Sequence, residues 1–421
     1  MYHLDRKKMI LCCFSSMLFL GSHTAISMPL TLKQAETAAL SQSPEIKSSQ
    51  AKSRALEQSA IAAGQFSDPK LMLGTLNVPV DTFNFSQEPM TQIQVGLQQS
   101  FPRGHSLHFR SLQKQDLSAA ESESAQTMKL MVLQNVRLSW LDLYYWLNAR
   151  TIILNQEKVF KHLLEVTESM LANNQAQQKD VIRAQLELSE LDNRLLAVKQ
   201  QSDIARANLA RWIGPTLAYH AQPTRLPTWP APGRYKQIQH EIKNHPILKT
   251  DAAYVAAGSD NVKLAKQQYK PGFTVSMAYG FRQGNDLDGS KRPDFLSAQV
   301  SMDLPIFTSN RQDKSLKESQ ENLLSNEENQ MSDYRQLQKS MSSEYAVWQE
   351  RKKSTILYQQ KLTPEAKQYA EATMAAYQNA QTDFPTLARA YVRELNTELE
   401  ELKEVVDQKK ARVNLLYLQG K

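Results

Sequence analysis

The stretch Phe273-Thr-Val-Ser-Met-Ala-Tyr-Gly-Phe-Arg282 alternates apolar side chains with polar or small ones. Successive side chains of a β-strand point to opposite faces, so this alternation predicts a strand with one apolar face. After a polar loop, the same alternation returns from residue 296 to residue 304. Each run has about ten residues, which is the length of a tilted strand that crosses a bilayer. We therefore predict a β-hairpin over about residues 272–304.

The two faces of this hairpin have different predicted environments. We expect the apolar side chains to face lipid: Phe273, Val275, Met277, Tyr279, Phe281, Val300 and Met302. We expect the polar side chains to face a lumen: Thr274, Ser276, Arg282, Ser297, Gln299, Ser301 and Asp303. A soluble hairpin with one face on a protein core has the same pattern, so the alternation by itself leaves both interpretations open.

Helices are predicted for most of the remaining chain. Residues 105–213 contain neither glycine nor proline, and residues 290–419 contain no glycine. Apolar residues recur at alternating steps of three and four from Val181 to Trp212 and from Ala388 to Leu416. Such a heptad repeat indicates coiled-coil packing. The fold class is therefore mainly α with a small β part, and the molecule is expected to be elongated.

The same order of signals occurs twice. Pro44 and Pro246 each open a helix, Pro69 and Pro271 each close it, and both pairs are 202 residues apart. A second hairpin is expected at about residues 70–101, where apolar and polar residues alternate from residue 92 to residue 98 and less cleanly from residue 71 to residue 78. We predict a duplicated unit, with repeats over residues 28–214 and 234–421 and a proline-rich linker over residues 215–233.

The N-terminus predicts export. Arg6, Lys7 and Lys8 precede an apolar run, and small residues follow, so residues 1–27 are interpreted as a signal peptide cleaved before Met28. Both cysteines of the chain lie in this segment. The mature chain is therefore expected to have no disulfide, thiol catalysis or cysteine-based metal site. Acidic and basic residues are interspersed, which argues against a nucleic-acid partner.

Two hairpins supply four strands, whereas single-chain outer-membrane barrels begin at eight strands. Open strand edges are not tolerated in lipid, so several copies must combine their strands. Three copies would form a twelve-stranded barrel, and the helices would continue it as a periplasmic tunnel.

The mature chain resembles the TolC family of outer-membrane efflux channels. The resemblance rests on the opening motif, on its second copy from His245-Pro246 and on the two helix tips. The motif and the tips are Leu30-Thr31-Leu32-x-x-Ala35-x-x-x-Ala39-Leu40-x-x-Ser43-Pro44-Glu45-Ile46, Asn173-Asn174-Gln175 before Val181-x-x-Ala184-Gln185, and Tyr377-Gln378-Asn379-Ala380 before Leu387-x-x-Ala390. The resemblance implies a homotrimer in the outer membrane of a Gram-negative bacterium, a periplasmic adaptor, an inner-membrane pump and no enzymatic activity or cofactor.

Four segments are similar to the branch of this family that exports heavy-metal cations. They are Asp68-Pro69-Lys70-Leu71, Asn77-Val-Pro79-Val-Asp81, Glu88-Pro89-Met90-Thr91-Gln92 and Gln99-x-Phe101-Pro102-Arg103-Gly104. Metal cations are therefore the expected cargo. A general drug or detergent exporter of the same architecture is the alternative, and a periplasmic adaptor or scaffold without a pore is the alternative of a different class.

Charges near the helix tips are candidates for a gate, because charged rings tune passage through a narrow pore. The candidates are Asp180, Arg183, Asp383 and Arg389. In the family the best-known constriction carries two acids, and the matching positions here are Thr386 and Arg389. Solvated or paired charges are the alternative interpretation of all four. No catalytic, cofactor-binding or metal-ligating residue is predicted.

Overall fold

The computed structural model describes residues 30–421. The predicted signal peptide, residues 1–27, lies outside the described residues. The prediction of a mainly helical chain with a small β part is confirmed. The elements, in chain order, are α1 Leu32–Gln42, α2 Pro44–Ala63, β1 Lys70–Leu76, β2 Gln92–Phe101, α3 Ser106–Ala172, α4 Gln178–Ile213, α5 Pro215–Tyr219, α6 Tyr235–Ile242, α7 Pro246–Gln267, β3 Gly272–Arg282, β4 Phe295–Asp303, α8 Gln312–Leu357, a π-helical turn Tyr358–Leu362, α9 Thr363–Gln378 and α10 Phe384–Leu418.

Side-chain caps and prolines set the starts of the helices that lead to the sheet. The Ser43 hydroxyl accepts a hydrogen bond from the Ile46 backbone N–H at 3.3 Å, and Pro44 occupies the first turn of α2. In α7 the His245 ring Nδ1 accepts from the Ile247 N–H, and Pro246 occupies the first turn. Proline fits there because its missing N–H would have no partner within the helix.

The four strands form one antiparallel sheet in the order β1-β2-β3-β4. Two hairpins, β1–β2 and β3–β4, are joined by pairing between β2 and β3, from Gln92 opposite Arg282 to Phe101 opposite Phe273. This central pairing connects residues that are far apart in the sequence. It leaves β1 and β4 as the two open edges of the sheet.

A layer of helices continues the sheet in the same order. Helix α2 packs on α3, α3 on α7, and α7 on α8. Each of these helices directly precedes or follows one strand, so each strand passes into its own helix at one end of the sheet. The other end of the sheet carries only the loops between paired strands.

The coiled coil buries or partly buries the predicted heptad positions. Helix α3 has 67 residues and is therefore about 100 Å long at 1.5 Å per residue. Away from the sheet it packs with α4, α9 and α10 around a core of apolar side chains: Ile153, Phe160, Leu163, Ala184, Leu191, Val198, Phe384, Leu387, Ala388 and Leu395. These contacts hold the turns α3–α4 and α9–α10 together as a single tip.

Within residues 30–421, no helix combines the length and the apolar character that a membrane span needs.

Candidate functional site

One face of the sheet is a continuous apolar surface. Residues directly opposite each other in an antiparallel pair share a face. Tyr279 lies opposite Val95 on one side and Leu296 on the other, and Val275 lies opposite Val300. Residues of this face are exposed: Phe273, Val275, Met277, Tyr279, Phe281, Val300, Met302, Leu71, Leu73, Ile93, Val95, Leu97 and Leu296. All seven side chains predicted to face lipid lie on it.

The opposite face carries polar side chains. Ser276 lies between Gln98 and Gln299, and Thr274 lies between Ser100 and Ser301. The hydroxyl groups of Ser100 and Thr274 are within hydrogen-bond distance at 3.2 Å. The register puts the seven side chains that were predicted to face a lumen on this face: Thr274, Ser276, Arg282, Ser297, Gln299, Ser301 and Asp303. What each face meets stays a prediction.

The two acidic gate candidates cap helices. A carboxylate oxygen of Asp383 accepts from the Thr386 N–H at 3.1 Å at the start of α10. A hydrogen bond with the Thr386 side chain, and then the bond from the Thr386 N–H, hold the pKa of Asp383 below its usual value. Asp180 accepts from the Gln177 N–H at 3.1 Å at the start of α4. Carboxylates are favoured at these positions because the first N–H groups of a helix have no partner within it.

The two basic candidates also have neighbours on their own helices. Arg183 forms an ion pair with Glu187 at 2.8 Å, and Glu187 is buried. A guanidinium nitrogen of Arg389 donates to the Thr386 hydroxyl at 2.9 Å. The structure therefore brings all four charges to the tip. Each of them has a hydrogen-bond or ion-pair partner at the start of its own helix.

Two partly buried glutamates of α10 were not predicted as site residues. Burial, and then the charge of Glu398, raise the pKa of Glu394 to about 7. The pKa of Glu398 is also raised, first by burial. With Glu401 they recur at intervals of four and three residues, which places them on one face of the helix. This spacing of glutamates is the sequence signal from which their position on one helix face could have been predicted.

Among the described residues, no cluster of three or more histidine, cysteine, aspartate or glutamate side chains has the geometry to hold a metal ion.

The sheet and the helices together form a known fold. A short sheet continued by a layer of long helices also occurs in solved outer-membrane channels. Residues 237–421 match the model of the outer membrane efflux protein family.

Solved structures share this fold at low sequence identity. The outer membrane protein VceC from Vibrio cholerae has a TM-score of 0.77 and 16% identity, over 92% of this chain and 96% of that chain. The outer-membrane channel OprN has a TM-score of 0.75 and 15% identity, over 92% and 89%. CusC has a TM-score of 0.76 and 13% identity, over 92% and 91%. No curated protein sequence matches the chain significantly.

Proposed function

We propose that this protein is the outer-membrane channel of a tripartite efflux pump. Three copies combine their sheets into a twelve-stranded barrel, and their helices form a tunnel in the periplasm. The observation that carries this proposal is the sheet, with an apolar face across all four strands, a polar opposite face and two open edges. In lipid each open edge must find a partner strand, and a further copy of the chain supplies it.

The proposed conduit is passive. The polar face of the sheet is rich in glutamine, serine and threonine, which form weak contacts with water and solutes.

A periplasmic adaptor and an inner-membrane pump are the proposed partners, and the tip formed by the turns α3–α4 and α9–α10 is the end that faces them. The charges Asp180, Arg183, Asp383 and Arg389 at this tip are proposed to tune passage. We also propose that residues 28–214 and 234–421 are two copies of one duplicated unit.

Metal cations are the proposed cargo. This part of the proposal is supported by the segments around Pro69, Pro79, Pro89 and Pro102, which resemble the heavy-metal branch. A conduit does not need a tight site, because selection takes place upstream at the pump. A drug or detergent exporter is the second candidate, and a pore-free periplasmic scaffold is the third. The scaffold is disfavoured because a soluble protein rarely exposes so large an apolar surface.

Two measurements test the channel and its cargo separately. Purified protein in planar bilayers is expected to conduct ions, and absence of any conductance would contradict the channel. A deletion strain is expected to become sensitive to copper, zinc, cobalt, cadmium or silver while its tolerance of dyes and detergents stays close to normal. Sensitivity to dyes and detergents alone would replace the metal cargo with the second candidate and leave the channel in place.

A further inference from the structure

Two loops meet at the end of the sheet that is remote from the helices. Rim loop 1, residues 77–91, connects β1 with β2, and rim loop 2, residues 283–294, connects β3 with β4. With the helices in the periplasm, both rim loops lie at the extracellular end. Arg282 and Arg292 are at this end, and each is only 9% exposed although both adjoin or belong to a loop.

Arg282 contacts both rim loops with one guanidinium group. Its Nε donates to the Pro293 carbonyl at 2.6 Å, and its Nη1 donates to the Pro89 carbonyl at 2.9 Å. The group also lies 4.0 Å from the centre of the Phe295 ring, which is a cation–π distance. The planar guanidinium can donate in two directions at once, which a lysine cannot do with the same geometry.

Arg292 makes a second connection between the same loops. Its Nη1 donates to the Ser86 carbonyl of rim loop 1 at 3.1 Å and to the Gln283 carbonyl at 3.3 Å. The loops are also in close contact at Gly284, which has a φ of +89°. A Cβ atom at Gly284 would lie 3.2 Å from the Ser86 carbonyl oxygen, so the close approach and the backbone conformation both favour glycine.

These contacts lie on the polar face of the sheet. Arg282 pairs with Gln92, and Phe295 pairs with Gly280, so all four residues share the polar face. Gln92 is only 4% exposed, and its side-chain oxygen is buried without a hydrogen-bond partner among the described residues. The end of rim loop 1 therefore covers the polar face at the extracellular end instead of extending freely into solvent.

We propose that Arg282 and Arg292 fasten rim loop 1 over the polar face, and that the fastened loops form an outer constriction of the channel. This inference rests on the proposed function, because the polar face lines a lumen only in the assembled barrel. Three copies place three fastened loops around one opening. The two arginines thereby set the size of solute that passes the outer mouth, separately from any gate at the periplasmic tip.

Access of reagents from outside the cell tests this inference without depending on the tip. Ser276 lies deep on the polar face, and Ser276→Cys introduces a single thiol, since both native cysteines lie in the predicted signal peptide. Intact cells are treated with a small maleimide and, separately, with a bulky polyethylene-glycol maleimide. Both reagents are applied to the Ser276→Cys protein and to the same protein with Arg282→Gln and Arg292→Gln.

We expect the bulky reagent to label the double variant several-fold faster than the parent, while the small reagent labels both equally. Lys291→Gln is the matched control, because it removes one positive charge from rim loop 2 at an exposed side chain. It should leave both rates unchanged. Arg282→Lys, which keeps the charge, should give an intermediate rate with the bulky reagent.

The outcomes separate the inference from the proposed function. Equal bulky-reagent rates in the parent and the double variant would overturn the outer constriction while leaving the lumen in place. Failure of even the small reagent to label Ser276→Cys in the parent would instead contradict the lumen assignment. Equal labelling by the small reagent also shows that the double variant is folded and inserted.

Discussion

Individual charges at the helical tip combine a structural role with a proposed role in passage, and substitution separates the two. Asp383→Ala removes the oxygen that accepts from the Thr386 N–H, so the first turn of α10 loses its cap. Asp383→Ser removes the charge and keeps a cap acceptor. We expect the alanine variant, and not the serine variant, to unfold at a lower temperature by circular dichroism. A change in bilayer conductance or ion selectivity in the serine variant would then belong to the charge, and unchanged values would exclude Asp383 from a gate.

A second residue-scale prediction concerns a carboxylate outside the sheet. Burial in the α7–α8 contact, and then the charge of Asp333, raise the pKa of Asp251 from 3.8 to about 6. One oxygen of this carboxylate is buried without a hydrogen-bond partner among the described residues. A raised folded-state pKa means that ionisation opposes folding, so stability falls as the pH rises through about 6.

Asp251→Asn should therefore stabilise the protein at pH 7.5 by about 1–2 kcal/mol, after a discount for solvent screening. At a pH below about 4 the Asp251 carboxyl group is protonated in both the folded and the unfolded state, so the variant should be no more stable than the parent protein. Thermal unfolding of both proteins across this pH range measures the difference. Asp333→Asn is the control and should give a smaller gain, because it removes the repulsion and leaves the burial. A destabilised Asp251→Asn protein at pH 7.5 would contradict the assignment.

At the scale of elements, neighbouring residues of strand β3 are predicted to face two different environments. Val275→Arg places a charge on the apolar face and should cost about 2–4 kcal/mol if that face meets mid-bilayer lipid. Ser276→Arg places the same charge on the polar face and should be tolerated, with altered conductance. Single cysteines at the two positions, labelled with a water-soluble maleimide in membranes, measure their access to water. Equal labelling at both positions would contradict the predicted lipid and lumen faces.

At the scale of the whole molecule, the number of copies in the assembly depends on the two open edges of the sheet. Strands β1 and β4 each have one neighbour, and the helices beneath them, α2 and α8, end the helical layer on the same two sides. The sheet of one chain is only a third of the proposed barrel and is not stable alone in lipid. We therefore expect the detergent-extracted protein to contain three copies. Native mass spectrometry and chemical cross-linking count the subunits. A folded, membrane-inserted species with one or two copies would contradict the proposed barrel.

Local patterns in the sequence were sufficient to predict strand β3 and the long helices. The alternation in residues 273–282 predicted strand β3, because side chains alternate along any extended backbone. The absence of glycine and proline over residues 105–213 predicted the helices α3 and α4, and the heptads predicted the buried sides of α4 and α10. The starts of α2 and α7 at Pro44 and Pro246 were also visible, because a proline acts on the residues next to it.

Contacts between distant residues were decided only by the tertiary structure. The pairing of β2 with β3 joins segments about 180 residues apart, and no local pattern fixes which strands become neighbours. Arg282 was predicted only to face a lumen, from its place in the alternation, and the fold surrounds it with Pro89, Pro293 and Phe295. The pKa of Asp251 likewise depends on burial against α8. Periodicity assigns a side chain to a face, whereas its partners and its burial depend on which other segments the folded chain brings against that face.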